Sequence, residues 1–303
     1  QADANGAPPA AQADAKAGGD GAEGDEAEGE AGPKSKLPLP YVKRPLTLPE
    51  MTLSPALGMG LTHFETGGFA FNAIGLDAGA ALGIIDDLTV DLTPLSMVIV
   101  RTDGSFFGGP SATDHEVYYG TFRAGVTYRF LNTEVADIGG RFEFGGSGTT
   151  DAIHMTAGLP VLLRLADIVR IDTGMFWTLF LPTRGGGVDG ALGQFSGVGL
   201  PFLGAGTFAG IPANVSFQVV DEFFLGLDTG FGIGSFRGND VSDNMFMPLG
   251  AHVGGTVPGD EGPLLDIIGN FSFPFFLLGG DPDTPTTEVW SLGLAARMYF
   301  SLM

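Results

Sequence analysis

The sequence predicts an all-β protein: a transmembrane antiparallel up-and-down β-barrel of about 12 strands with a disordered acidic N-terminal tail. Three observations carry this. From residue 51 onward, apolar residues alternate with small or polar ones through segments of about ten to fourteen residues, the period of a strand with one apolar face. The composition suits apolar surface facing something other than water: mean hydropathy is +0.23, and 16% of the 303 residues are charged, against 50 Gly and 25 Phe. Finally, no segment suits a membrane helix.

The nearest approach to such a helix is GVGLPFLGAGTFAGIPANVSF, Gly197 to Phe217, which has no ionisable side chain and the roughly twenty residues a helix needs to span a bilayer. Pro201 and Pro212 each remove a backbone donor, and Gly197, Gly199, Gly204, Gly206 and Gly210 each cost about 1 kcal/mol of helix propensity relative to alanine. Its second half, IPANVSFQVV, reads instead as a strand with Val215, Phe217 and Val219 toward lipid and Asn214, Ser216 and Gln218 inward. Its first half joins TRGGGVDGALGQFSG in the longest connection, a loop expected to fold into or over the barrel mouth.

In chain order, residues 1–44 form the tail and linker. The Ala, Gly, Asp, Glu and Pro of the first part, most acidic at GAEGDEAEGEAG, cannot bury enough apolar surface to offset chain entropy. A Pro-rich joint, KLPLPYVKRPLTLPE, follows. Residues 45–303 are the barrel, with strands starting near residues 51, 71, 88, 117, 138, 153, 168, 213, 223, 245, 263 and 288. In EVYYGTFRAGVTYRF, Phe122, Ala124, Val126, Tyr128 and Phe130 face one way, opposite Arg123, Gly125, Thr127 and Arg129. In VRIDTGMFWTLF, Met175, Trp177 and Leu179 oppose Arg170, Asp172 and Gly174. In the last strand, Trp290, Leu292, Leu294, Met298 and Phe300 oppose Ser291, Gly293, Arg297 and Tyr299.

Connections alternate in length. Asp86-Asp87, Ala166-Asp167, Asp221-Glu222 and GDEG are tight, whereas RTDGSFFGGPSATDHE, RGNDVSDN and GGDPDTPTT are longer. A soluble sandwich also alternates, but its outer face carries charge; here one face is continuously apolar and the other is Gly, Ser, Thr and a few ions. A sheet in hydrocarbon has to close, because an open edge leaves backbone groups unpaired.

The inward faces supply candidate pore-lining residues. Arg123, Arg129, Arg141, Arg164 and Arg170 form a basic wall, and Asp77, Asp91, Asp228 and Asp266 an acidic one. Opposed charges of this kind set up a transverse field that selects dipolar or charged solutes. Inward glycines are expected to leave space for a pore.

Other functions find less support. A net charge of −21 with 14 Lys and Arg argues against nucleic acid. The absence of Cys excludes disulfides and thiolate chemistry. No GxSxG, HExxH or GxxxxGK[ST] is present, and glycine runs such as GFGIG lie inside strands with no following helix to hold phosphate. No metal or other cofactor is expected, and the protein is read as not an enzyme. His154 and His252 fall on inward faces as hydrogen-bonded structural residues, and a surface hydrolase near His115, between Asp114 and Glu116, is the least favoured alternative.

The even strand count and the pattern of short turns on one side with long loops on the other make residues 45–303 resemble a Gram-negative outer-membrane β-barrel of the porin-like kind. The KRPLTLP entry followed by a strand is similar to the opening of such barrels. The resemblance implies a site in the outer membrane, with both termini periplasmic, contact with outer-membrane lipid and lipopolysaccharide, and passage of small polar solutes. It allows a homo-oligomer, a periplasmic partner for the tail, and, as an alternative to a channel, a non-conducting barrel that anchors or scaffolds an envelope complex.

Overall fold

The computed structural model describes residues 37–66, 69–102, 115–119, 121–147, 152–182, 207–234, 245–260, 262–278 and 289–302. The tail before residue 37, the expected mouth loop at 183–206 and the acidic loops at 103–114, 235–244 and 279–288 lie outside the described residues.

One antiparallel sheet contains every strand. Its first four are β1 (Thr52–Thr66), β2 (Phe69–Ile85), β3 (Leu88–Thr102) and β4, whose segments His115–Tyr119 and Thr121–Asn132 both pair with β3 in one continuous register. Then come β5 (Ala136–Ser147), β6 (Ala152–Leu165), β7 (Val169–Pro182) and β8 (Thr207–Val220). The last four are β9 (Phe223–Gly234), β10 (Met245–Gly259), β11 (Gly262–Leu278) and β12, made of Val289–Met298 and Phe300–Ser301. Each strand pairs with its neighbours in the chain, and β12 pairs back onto β1 through Ala56↔Arg297 to Phe64↔Val289. Among the described residues the barrel is closed, so no strand is left without a neighbour on either side.

Side-chain alternation sorts as the sequence predicts. Trp177, Met175, Leu227, Leu292 and Leu294 are among the most exposed large apolar side chains, while Ser216, Arg170, Thr127 and Ser291 on the alternate positions are buried. The outside is a lipid-facing apolar surface; the polar residues face a lumen.

Strand β8 begins at Thr207, six residues ahead of the expected start near 213. Pro212, which counted against a helix, is held inside the strand. Its partner across β9 is Gly230 at φ +158°, where a Cβ would stand 2.7 Å from the Ile211 carbonyl oxygen. Only glycine relieves that approach. The same device recurs one strand pair earlier, where Pro160 faces Gly174 at φ +141°. Both glycines close an Asp-Thr-Gly triplet, and each threonine hydroxyl donates across to a proline carbonyl on the next strand: Thr173 Oγ1 to Pro212 O at 2.7 Å, and Thr229 Oγ1 to Pro248 O at 3.0 Å. The three prolines therefore mark a structural repeat spread over β6 to β10.

The inward glycines do not all leave space. Aromatic or imidazole rings from adjacent strands lie across Gly145 (His154), Gly158 (Phe176), Gly226 (His252), Gly232 (Phe246) and Gly254 (Phe224). By contrast, a Cβ on Gly58 would meet only Asp77 Cβ at 3.8 Å, and one on Gly60 only the Leu292 carbonyl oxygen at 3.7 Å. Free volume is thus displaced toward β1 and its neighbours.

Candidate functional site

The end of the barrel with short connections is crossed by a strap, residues 37–50. The prolines of KLPLPYVKRPLTLPE keep most of it extended, apart from one 3-10 turn at Tyr41–Lys43. On composition, residues up to 44 belong to the linker; the described part, from Leu37, is instead packed inside the mouth, with Val42 1% and Thr47 2% exposed.

Its backbone donors find partners around the ring. Val42 N–H donates to Gln218 Oε1 of β8 at 3.1 Å, Leu46 N–H to Asp137 Oδ2 of β5 at 2.9 Å, and Leu48 N–H to Thr89 Oγ1 of β3 at 2.8 Å. Tyr41 stacks on Phe224 of β9 at 4.1 Å between ring centroids, and the Arg170 guanidinium carbon lies 4.8 Å from the centroid of the Tyr41 ring. Burial pushes the Tyr41 phenol up from its ordinary pKa, against the opposing pull of Arg170.

Arg44 anchors the strap. Its guanidinium forms a two-point ion pair with Asp266 of β11 and donates to Thr256 Oγ1 of β10 at 3.0 Å, with Tyr299 Oη 3.3 Å away. Asp266 accepts in addition from Thr256 at 2.7 Å and Tyr299 at 2.6 Å, so both its oxygens are saturated. The Arg44 carbonyl in turn accepts from Arg164 at 3.3 Å and Arg170 at 3.1 Å. Three arginines thus converge on one turn of the strap.

The strap separates two spaces. On the membrane side lies a cavity of about 810 Å³, bordered by Tyr41 and Pro45–Leu48, by the charged residues Asp77, Asp91, Arg123, Arg141, Glu143, Arg170 and Arg297, and by Phe176, Phe208, Phe231 and Phe246. On the other side lies a hollow of about 670 Å³ among the short connections, lined by Lys43, Asp86, Arg129, Glu134, Arg164 and Asp167. Pro45 borders both, so the partition there is one residue thick.

The residues expected in two opposed walls are distributed differently. Arg123, Arg141 and Arg170 border the cavity; Arg129 and Arg164 border the hollow. Asp77 and Asp91 border the cavity, whereas Asp266 is bound to Arg44 and Asp228 to His252. The basic and acidic sets also touch. Arg141 bridges Asp91 at 2.6 Å and Glu143 at 2.7 Å over Gly125. Arg129 pairs with Asp87 at 2.7 Å, Arg164 with Asp137 at 2.6 Å, and Arg170 with Asp172 at 2.6 Å. Asp87 and Asp137 lie on a neighbouring turn or strand, Glu143 and Asp172 on the arginine's own strand and Asp91 two strands away, so the charge alternates locally.

Sequence reasoning did not find Arg44, Tyr41, Asp137 or Tyr299. The available signal was the pair of side chains Tyr41 and Arg44 set among prolines, an unusual place for an aromatic and a cation if the segment were only a spacer. It also did not find the chain Ser216–His252–Asp228. His252 from β10 lies over Gly226, with Nε2 2.9 Å from Ser216 Oγ of β8 and Nδ1 2.8 Å from Asp228 Oδ1 of β9. The atom sequence is that of a charge relay, but Ser216 is 2% exposed, and as a strand residue paired on both sides it has no spare backbone donors around it to stabilise an oxyanion. The trio is a lock across three strands, as expected for a structural histidine. His115 opens β4 in register with Arg101; its neighbour Asp114 lies outside the described residues. Among the described residues no cluster of His, Asp and Glu could hold a metal ion.

A closed twelve-strand antiparallel meander with an apolar exterior and an ion-bearing interior is the fold of outer-membrane β-barrel proteins. No protein-family model and no curated protein matches the chain. Among solved structures, the chain is similar to an outer-membrane channel from Pseudomonas putida F1, with a TM-score of 0.53 and 12% identity over 84% of this chain and 97% of that one. It is also similar to the translocator domain of autotransporter NalP from Neisseria meningitidis (TM-score 0.48, 14% identity, 82% and 87% covered) and to the NanC porin (0.47, 7%, 80% and 98%). At these identities the likeness is one of fold.

Proposed function

We propose that this barrel is an outer-membrane channel for passive or weakly selective diffusion of small polar solutes, narrowed at its short-turn mouth by the strap. The described chain begins at Leu37, beside Gly262, and ends at Leu302, hydrogen-bonded to Met51, both on that side, which we assign to the periplasm. The observation that carries the reading is the cavity of about 810 Å³ inside the closed barrel, bordered by seven charged side chains and walled off from the second hollow by a single extended segment. A barrel of this strand number has room for a lumen that side chains alone do not fill.

The strap also favours a second reading, a non-conducting barrel that anchors or scaffolds an envelope complex. Planar-bilayer recording separates the two. The full chain should show small conductance steps, and Arg44→Ala, which frees the strap, should show larger ones. Silence from both proteins would remove the channel reading and leave the anchor. Lipopolysaccharide contact through the outer loops and a periplasmic partner for the tail are further proposals, tested by co-purification with and without residues 1–36.

A further inference from the structure

Two cavity-lining charges of opposite sign have no partner. Asp77 on β2 and Arg297 on β12 both border the cavity, and among the described residues neither side chain takes part in a hydrogen bond or an ion pair, while Asp91, Arg141, Glu143 and Arg170 are paired. The reason is visible for each. Across the sheet, Asp77 stands between Gly58 and Ser96, which bring no cation. Arg297 stands between Ala56 and Asp266, and Asp266 is already saturated by Arg44, Thr256 and Tyr299.

The two charges flank one bare patch of wall. Gly58 pairs with Asp77 on one side and with Ala295, two residues before Arg297, on the other. Strand spacing and rise put the two α-carbons about 12 Å apart. Between them are Ala56 and Gly58, and Gly58 is one of the inward glycines that no ring covers. Around the ring, six places from β1 and β2, strands β7 and β8 bring Phe176 and Phe208 to the same cavity, and β10 adds Phe246, stacked on Phe208 at 5.7 Å.

We infer that this cavity holds a compact zwitterion with an apolar body, the chemistry of a free aromatic or branched amino acid: its ammonium group on Asp77, its carboxylate on Arg297 and its side chain toward the phenylalanines. The inference rests on the cavity being the solute path and names the solute class for it. A single-charge solute satisfies only one of the two groups and leaves the other unpaired. Charge-assisted contacts of this kind are worth a factor of about ten or more each. The third unpaired charge, Arg123, is a poorer carboxylate partner, because its Nε is buried whereas Arg297 is exposed to the lumen.

The test is equilibrium binding to the detergent-solubilised full chain, with phenylalanine, phenethylamine and 3-phenylpropanoate as probes, run beside bilayer conductance. Phenylalanine should bind at least about tenfold more tightly than either single-charge analogue. Asp77→Asn should abolish its advantage over the carboxylate, and Arg297→Gln its advantage over the amine, while Arg123→Gln changes neither by more than about twofold. Equal binding of the three probes overturns the inference, as does a loss confined to Arg123→Gln. Binding without conductance would leave this site standing and remove the channel; conductance without selective binding would do the reverse.

Discussion

Arg44 and Asp266, 222 residues apart in the chain, meet as a buried two-point ion pair with side chains 5% and 1% exposed. Neither group can be released singly without stranding the other. Truncation of one partner of a buried pair costs roughly 3–5 kcal/mol. Arg44→Ala should therefore unseat the strap and lower barrel stability, read as cleavage of residues 37–50 by added protease and as an earlier urea transition in heat-modified gel mobility. Asp266→Asn should do the same; a strap that stays protected in both variants would contradict its anchoring by this pair.

The Tyr41 phenol adds a pH dependence with a definite sign. Burial raises its pKa, so above the ordinary value of about 10 the released segment loses a proton that the seated one retains. Seating is fully supported below that pH and weakens as pH rises through it. Conductance, or the signal of a fluorophore on the strap, should change on going from pH 8 to pH 11, and by less in Tyr41→Phe, which keeps the stack on Phe224 without an ionisable group.

Covered and uncovered glycines should respond differently to a methyl group. At Gly226 the added Cβ would meet His252 Cε1 and Nε2 and the Val215 carbonyl oxygen, each at 2.4 Å, so Gly226→Ala should break the Ser216–His252 contact and cost about 1–3 kcal/mol in urea unfolding. Gly58→Ala meets open lumen and should leave stability unchanged. Its effect should appear as reduced conductance and weaker zwitterion binding.

On the outer surface, Leu227, 54% exposed on β9, faces lipid. Leu227→Arg should destabilise the folded barrel in bilayers by about 2–4 kcal/mol if it lies near the midplane, with little change in detergent. An equal effect in both would argue that the position packs against protein.

The class of the fold and the direction of each side chain were legible along the chain, since a strand turns successive residues to opposite faces whatever it pairs with. That is why Arg170, Ser216 and Trp177 fell on the sides they occupy, and why eleven of the strand starts lie within a few residues of expectation. The start of β8 was not, because a proline marks a boundary only where nothing across the sheet accommodates it. Gly230 does, and it belongs to a different strand.

Which charges meet was equally hidden. Asp266 reads as a pore-lining acid until Arg44 enters the lumen from the other end of the chain, and Arg141 and Asp91 read as opposite walls until closure sets them over the same glycine. Alternation is a local property of covalent geometry, so the sequence by itself determined a lipid-facing barrel with a polar inside. The strap, its ion pair and the charges left unpaired depend on long-range register and ring closure, and only the tertiary structure decided them.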